Sequence, residues 1–168
     1  MKLMSLSEER IELAEIEIKD FFNKVIKTKD FNICDNEIIL DIENYKALCD
    51  IELLEVVIRN LVENASHADP KDNKILIKGR IRENGKYRIF IIDKGKGIPK
   101  EHIKRVTEDF YMVDKSRSRT NGSSGIGLSL VKKILKLHNS TIFIESEENF
   151  GTTVYFDLEE GNNEKKNK

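Results

Sequence analysis

Asp93-Lys-Gly-Lys-Gly-Ile-Pro99 is a stretch of this 168-residue chain whose residue types could do chemistry. It follows residues 87–92, a β-branched and aromatic run that predicts a strand ending on a carboxylate. A carboxylate at the end of a buried strand needs a hydrogen-bond donor to stay charged. Gly95 and Gly97 would let backbone approach a flat ligand, and an amino-bearing base edge would suit Asp93. A solvated β-turn is the plain alternative.

Two other stretches have the same ambiguity. Asn60, Asn64 and His67 stand at i, i+4 and i+7 of a predicted helix and so share one face. Asn is a poor residue for a helix interior, a cost that a ligand could offset, and a solvated polar face is the plain alternative. Gly122-Ser-Ser-Gly-Ile-Gly-Leu128 leads into another predicted helix, where free backbone N–H groups and the helix dipole would favour an anion. It lacks the Gly-Lys-Ser/Thr ending of a Walker A loop, and it follows no strand, which excludes a Rossmann reading.

The elements that must position these residues follow from patterning. Residues 50–68 predict the clearest helix, with Ile51, Leu54, Ile58, Leu61 and Ala65 as its buried stripe. Residues 74–82 and 86–92 predict a hairpin about Asn84-Gly85, in a type I′ turn. A strand is expected near Glu15, a helix capped by Asp20, and a strand within residues 31–42. Pro99 can open a short helix at its first position. The helix after Gly125 should bury Ile126, Leu130, Ile134 and Leu137, with Leu128, Val131 and Leu135 widening that face, and residues 141–146 and 152–158 should close the chain as a hairpin turning at Gly151. The polar segment 114–124 is long for a loop inside a compact domain, and Lys115, Arg117 and Arg119 in it could reach a phosphate chain.

Composition narrows the class. The length suits one domain with one core. With 29 basic and 30 acidic residues interspersed, there is no basic footprint for nucleic acid. No apolar run approaches a membrane span, and no signal-peptide pattern opens the sequence. Cys34 and Cys49 stand in no metal or redox spacing and read as reduced thiols of a cytosolic domain. His67, His102 and His138 form no zinc pattern.

Asn60-Leu-Val-Glu-Asn64-Ala, Asp93-Lys-Gly-Lys-Gly-Ile98, Phe110-Tyr-Met-Val-Asp-Lys-Ser-Arg-Ser118 and Gly122-Ser-Ser-Gly-Ile-Gly-Leu128 occur in one order. Together they resemble the N, G1, F and G2 boxes of the ATP-binding catalytic domain of bacterial sensor histidine kinases, over residues 11–158. The resemblance implies an α/β two-layer sandwich, a mixed sheet of about five strands under three helices. It implies ATP and Mg²⁺ as cofactors. Asp93 would accept the adenine amine, Gly95, Gly97 and Ile98 would line the base, and Asn64 would bind Mg²⁺. Asn60 and His67 would face the phosphates or the metal's waters, and the backbone of Gly125, Gly127 and Leu128 would cap the phosphates. Phe110 and residues 111–124, with Tyr111, Lys115, Arg117, Gly122, Ser123 and Ser124, would form a lid over the nucleotide, expected to be mobile without it, and Ile126 would also contact the nucleotide.

His67 stands where the family often has Lys, Ala68 where it has an aromatic, Met112 where it has Arg, Thr107 for the first Phe of the F box and Asn139-Ser140 for a Gly pair. No histidine here has the acceptor setting of such kinases. Residues 1–10 resemble the end of a dimerisation helix, and residues 159–168 read as a polar tail. The implied activity is phosphoryl transfer to a histidine of a dimerisation domain, then to an Asp of a response regulator. The implied place is the cytoplasm, with the parent kinase homodimeric, cytosolic or membrane-anchored, and this piece monomeric. The rival readings are a serine kinase of the anti-sigma-factor type and a catalytically silent ATP switch.

Overall fold

The computed structural model describes residues 11–28, 36–113 and 125–161. The expectations placed on Cys34, on residues 1–10 and on residues 114–124 lie outside that range. So does the tail from residue 162.

Chain order is β1 (Ala14–Glu17), α1 (Ile18–Val25), β2 (Glu37–Ile42), β3 (Lys46–Cys49), α2 (Ile51–His67), β4 (Lys74–Ile81), β5 (Tyr87–Asp93), α3 (Lys100–Ile103), α4 (Gly127–Leu137), β6 (Phe143–Glu147) and β7 (Gly151–Glu160). The strands form one mixed sheet in the order β1-β3-β7-β5-β4-β2, with β6 also on β7. Only β2 and β4 run parallel. The expected two-layer α/β sandwich is present, but the described residues form seven strands rather than about five. The long β7 accounts for part of the difference. It pairs with β5 along one edge, and on the other it takes β6 near its start and β3 at Glu159 and Glu160. That last pairing keeps Glu159 and Glu160 in the sheet, where a tail was expected. Three helices of eight residues or more are described, with α3 a single turn.

Period-2 alternation along the strands puts Ile75 and Ile77, then Tyr87, Ile89 and Ile91, then Phe156 and Leu158 on the helix side, all buried. Leu54, Val57, Ile58 and Leu61 of α2 join the same core, as do Phe21 and Phe22 of α1 and Val131, Ile134 and Leu135 of α4. Burying each large aliphatic side chain contributes about 1.5–3 kcal/mol. The opposite sheet face is polar and aromatic: Arg88 pairs with both oxygens of Asp157 (2.6 and 2.9 Å), and Phe90 and Phe143 flank Tyr155.

Local details depart from the sequence expectations. Of Asn84-Gly85, only Gly85 has positive φ (77°); Gly85 N–H donates to Arg82 O and Arg82 N–H to Lys86 O. This is a three-residue loop with a bulge at glycine, not a type I′ turn, which would need positive φ at both residues. Glu17, not Asp20, precedes α1, and Pro99 precedes α3 rather than opening it. The buried face of α4 is Ser129, Val131, Ile134 and Leu135, leaving Ile126 42% exposed ahead of the first turn.

Asp50 caps α2 by accepting from the backbone of Glu52 and Leu53, as the residue type suits. The same residue's N–H donates to His138 Nε2 (3.0 Å), while His138 Nδ1 lies 2.9 Å from Ile134 O. His138 is 6% exposed and joins the end of α4 to the start of α2. The two helices therefore pack antiparallel, and Gly127 at the other end of α4 comes to Asn60 and Asn64.

Candidate functional site

A cleft of about 320 Å³ opens between α2, the end of β5 and the start of α4. Asn60, Asn64 and His67 line it, confirming the shared face, and so do Asp93, Gly97, Ile98, Tyr111, Gly125, Gly127 and Leu128. Gly95, Phe110 and Ile126 do not line it. Gly95 works from behind: a Cβ there would stand 2.3 Å from Ala68 O, so the glycine lets the loop close on the end of α2. Lys96 N–H donates to that same carbonyl, fixing the contact. Phe110 is 74% exposed and takes a positive φ of 62°, unusual for an aromatic residue. Lys115, Arg117, Gly122, Ser123 and Ser124 lie outside the described residues.

Asp93 closes the strand end of the cleft. It is 6% exposed, and its Oδ1 accepts from Gly95 N–H at 2.8 Å. Burial raises its pKa above the usual carboxylate range, and backbone hydrogen bonds from Gly95 and Thr152 oppose that shift. The floor beneath it depends on close backbone approach. A Cβ on Gly151 would stand 2.1 Å from Asp93 O, and one on Gly97 (φ 68°) 2.1 Å from Glu147 O. Apolar walls come from Leu61, Ile91, Ile144 and Val154. A flat apolar ring with one donor edge fits this end.

The helix end has a different chemistry. Asn60 Nδ2 donates to Val56 O within its own helix (2.8 Å), which turns Oδ1 toward Gly127. A Cβ on Gly127 would stand 2.9 Å from that oxygen, so glycine is what lets α4 begin there. The Asn60 amide oxygen, the Asn64 carboxamide and the N-terminus of an eleven-residue helix converge, a setting for an anion accompanied by a hard cation.

Sequence reasoning missed several residues here. Thr152, Ile144 and Val154 reach the cleft from β6 and β7, and only the strand register places them there. Glu63 also lines the cleft, from the edge of the Asn face about a quarter turn from Asn64. Tyr111 enters as expected, held by His102 Nδ1 at its hydroxyl (2.5 Å) and by the Arg105 guanidinium 4.3 Å from its ring centroid. Among the described residues, no helix is long and apolar enough to cross a membrane.

The family model described as histidine kinase-, DNA gyrase B-, and HSP90-like ATPase matches residues 49–162, more than half of the chain. The signal transduction histidine-protein kinase ArlS of Staphylococcus aureus (strain USA300) is 46% identical over 92 residues, which are 55% of this chain and 20% of that kinase. The chain therefore spans a small part of the length of that relative. Among solved structures, the mycobacterial sensor histidine kinase MprB superposes with a TM-score of 0.73 at 18% identity, covering 88% of this chain and 97% of that one. Full-length ShkA in complex with AMPPNP gives 0.74 at 19% identity, over 89% of this chain and 31% of that one. These two show a shared fold.

Proposed function

We propose, from the premise that this chain belongs to the histidine kinase-, DNA gyrase B- and HSP90-like ATPase family, that it is the ATP-binding catalytic domain of a sensor histidine kinase. Its reaction is transfer of the γ-phosphoryl group of ATP to a histidine on an acceptor domain, for relay to an Asp of a response regulator. The observation that carries this reading is the convergence of Asp93 from β5, Asn60 and Asn64 from α2, and Gly127 from α4 on one cleft.

Each residue has a task that its chemistry suits. Asp93, oriented by Gly95 N–H, accepts a hydrogen bond from the exocyclic amine of adenine. Gly97 and Ile98 cover the ring. The backbone N–H groups at the start of α4 face the phosphates with the helix dipole behind them. Asn60, Asn64 and His67 face the same phosphates from α2. Mg²⁺ fits this donor set, since it takes few protein oxygens and completes its shell with phosphate and water. Bound at Asn64, it would neutralise charge on the phosphate chain. An amide at position 60 cannot deprotonate water, which favours transfer over hydrolysis. The domain's contribution is positioning and charge neutralisation. The acceptor is a dimerisation domain of the same kinase, the parent is a homodimer, and the reaction belongs to the cytoplasm.

The test uses labelled ATP, this chain, and the acceptor domain as a separate polypeptide. The expected label appears on the acceptor, is acid-labile and base-stable, and vanishes when the acceptor histidine is replaced. This chain stays unlabelled: His138 is buried, and none of its histidines has the acceptor setting. An acid-stable label on a partner serine, or a label on this chain, would overturn the reading.

A further inference from the structure

Beneath the strand end of the cleft, the β6–β7 hairpin presses against the loop that follows Asp93. Asn149 N–H donates to Lys96 O (2.7 Å), and Gly97 lies so close to β6 that a Cβ would meet Glu147 O. At the centre of this contact is the half-buried Ser146, which does not itself line the cleft. Its Oγ accepts from Ile98 N–H at 2.8 Å, donates to Gly151 O at 2.9 Å, and lies 2.9 Å from Thr152 Oγ1. One side chain thus joins the Gly97-Ile98 loop, β6 and β7.

A serine hydroxyl has one proton and two acceptor positions. Ile98 N–H occupies one acceptor position, and the proton goes to Gly151 O. The bond to Thr152 must then use the second acceptor position, so the Thr152 hydroxyl donates to Ser146. Thr152 lines the cleft beside Asp93, and with its proton committed it turns acceptor lone pairs toward the ligand. Two neighbouring acceptors, Asp93 and Thr152, then face the edge where an amine would bind.

We propose that Ser146 is a positioning residue for base recognition: it fixes the Ile98 backbone that borders the base and sets the Thr152 hydroxyl to accept rather than donate. This rests on the reading that the base of ATP binds at Asp93. Ser146 lies about fifty residues from that loop in sequence, and nothing in its own neighbourhood marks it.

Two measurements test it, one independent of nucleotide. Amide exchange of Ile98 in the ligand-free chain should be protected in the parent and in Ser146→Thr, and fast in Ser146→Ala. Calorimetry should then compare Mg-ATP with Mg-ITP, whose base lacks the amine. Ser146→Ala should bind Mg-ATP about fivefold more weakly, the scale of one lost neutral hydrogen bond, with a smaller change for Mg-ITP. Ser146→Thr should restore the ATP preference. Thr152→Val, which leaves the Ser146–Ile98 bond in place, should keep Ile98 protected yet lose part of that preference, and it serves if Ser146→Ala fails to fold. Parent-like protection of Ile98 in Ser146→Ala, equal losses for ATP and ITP, or an unchanged preference in Thr152→Val would each overturn the proposal. No binding of Mg-ATP by the parent would instead defeat the functional reading, and the exchange experiment would still report on the clamp.

Discussion

At the strand end of the cleft, Asp93 is 6% exposed, bonded to Gly95, and underlain by glycines that admit backbone to within a Cβ's width. At the helix end, Asn64 is exposed, and Asn60 donates one of its two amide protons to its own helix. The first region is shaped before any ligand arrives. The second is a set of oxygens and helix N–H groups whose full coordination requires a ligand. On the proposed function, shape selection belongs to the strand end and charge handling to the helix end. Substitutions at the two ends should fail in different measurements.

The largest expected effect comes from Asn64→Ala. On the proposed function, in which the Asn64 amide oxygen would bind Mg²⁺, its removal should lower phosphoryl transfer by about 100-fold or more. The melting temperature should hold, because the side chain is exposed. A transfer assay beside a thermal melt checks both, and a large loss of stability would erase the contrast between the ends.

Gly97→Ala should fail the opposite way. It carries the left-handed backbone penalty of about 1–2 kcal/mol and adds a clash with Glu147 O. Gly85→Ala is the control, since it has the same sign of φ but nothing within 4 Å of the added carbon. Denaturant unfolding should show a larger loss at Gly97 than at Gly85, and calorimetry should show weakened nucleotide binding only at Gly97.

Asp93→Asn should weaken ATP by about tenfold, on the scale of a hydrogen bond to a charged group. The same change should stabilise the ligand-free chain near neutral pH. Burial raises the folded pKa of Asp93, so the folded state binds its proton more readily than the unfolded chain. Its contribution to stability is then fullest below the unfolded value and is lost as pH rises through the folded one. Unfolding curves from acid to neutral pH should show that decline in the parent and its absence in Asp93→Asn.

The sequence carried the helix end of the site well, and the strand end only in part. Asn60, Asn64 and His67 lie on one helix, so spacing alone brings them together. Asp93 was visible because its strand ends abruptly in glycines. Ser146 and Thr152 were not, because a hydroxyl in a strand has no local signature and acquires a role only through register with β7 and the loop before Pro99. The four residues of β3, Lys46–Cys49, were too short a run to show a period, and β7's length is what recruits them. On α4, Val131, Ile134 and Leu135 are buried as the wider face predicted, and Ile126 is exposed because it precedes the first turn. At Asn84-Gly85 the dipeptide marked the hairpin correctly, while the extra residue in the loop changed the turn.

The hydrogen bond between His138 and Asp50 also has a mechanical meaning. It pins α4 to α2 at the end remote from the cleft, like the rivet of a pair of tongs. Gly127 lies at the opposite end of α4, about 16 Å away along a helix that rises about 1.5 Å per residue. Over that lever arm, a swing of about 4° moves the tip by about 1 Å, enough to make or break a hydrogen bond to a phosphate oxygen. A rotation of that size would change the grip at the cleft while the far end of α4 stayed held at the rivet.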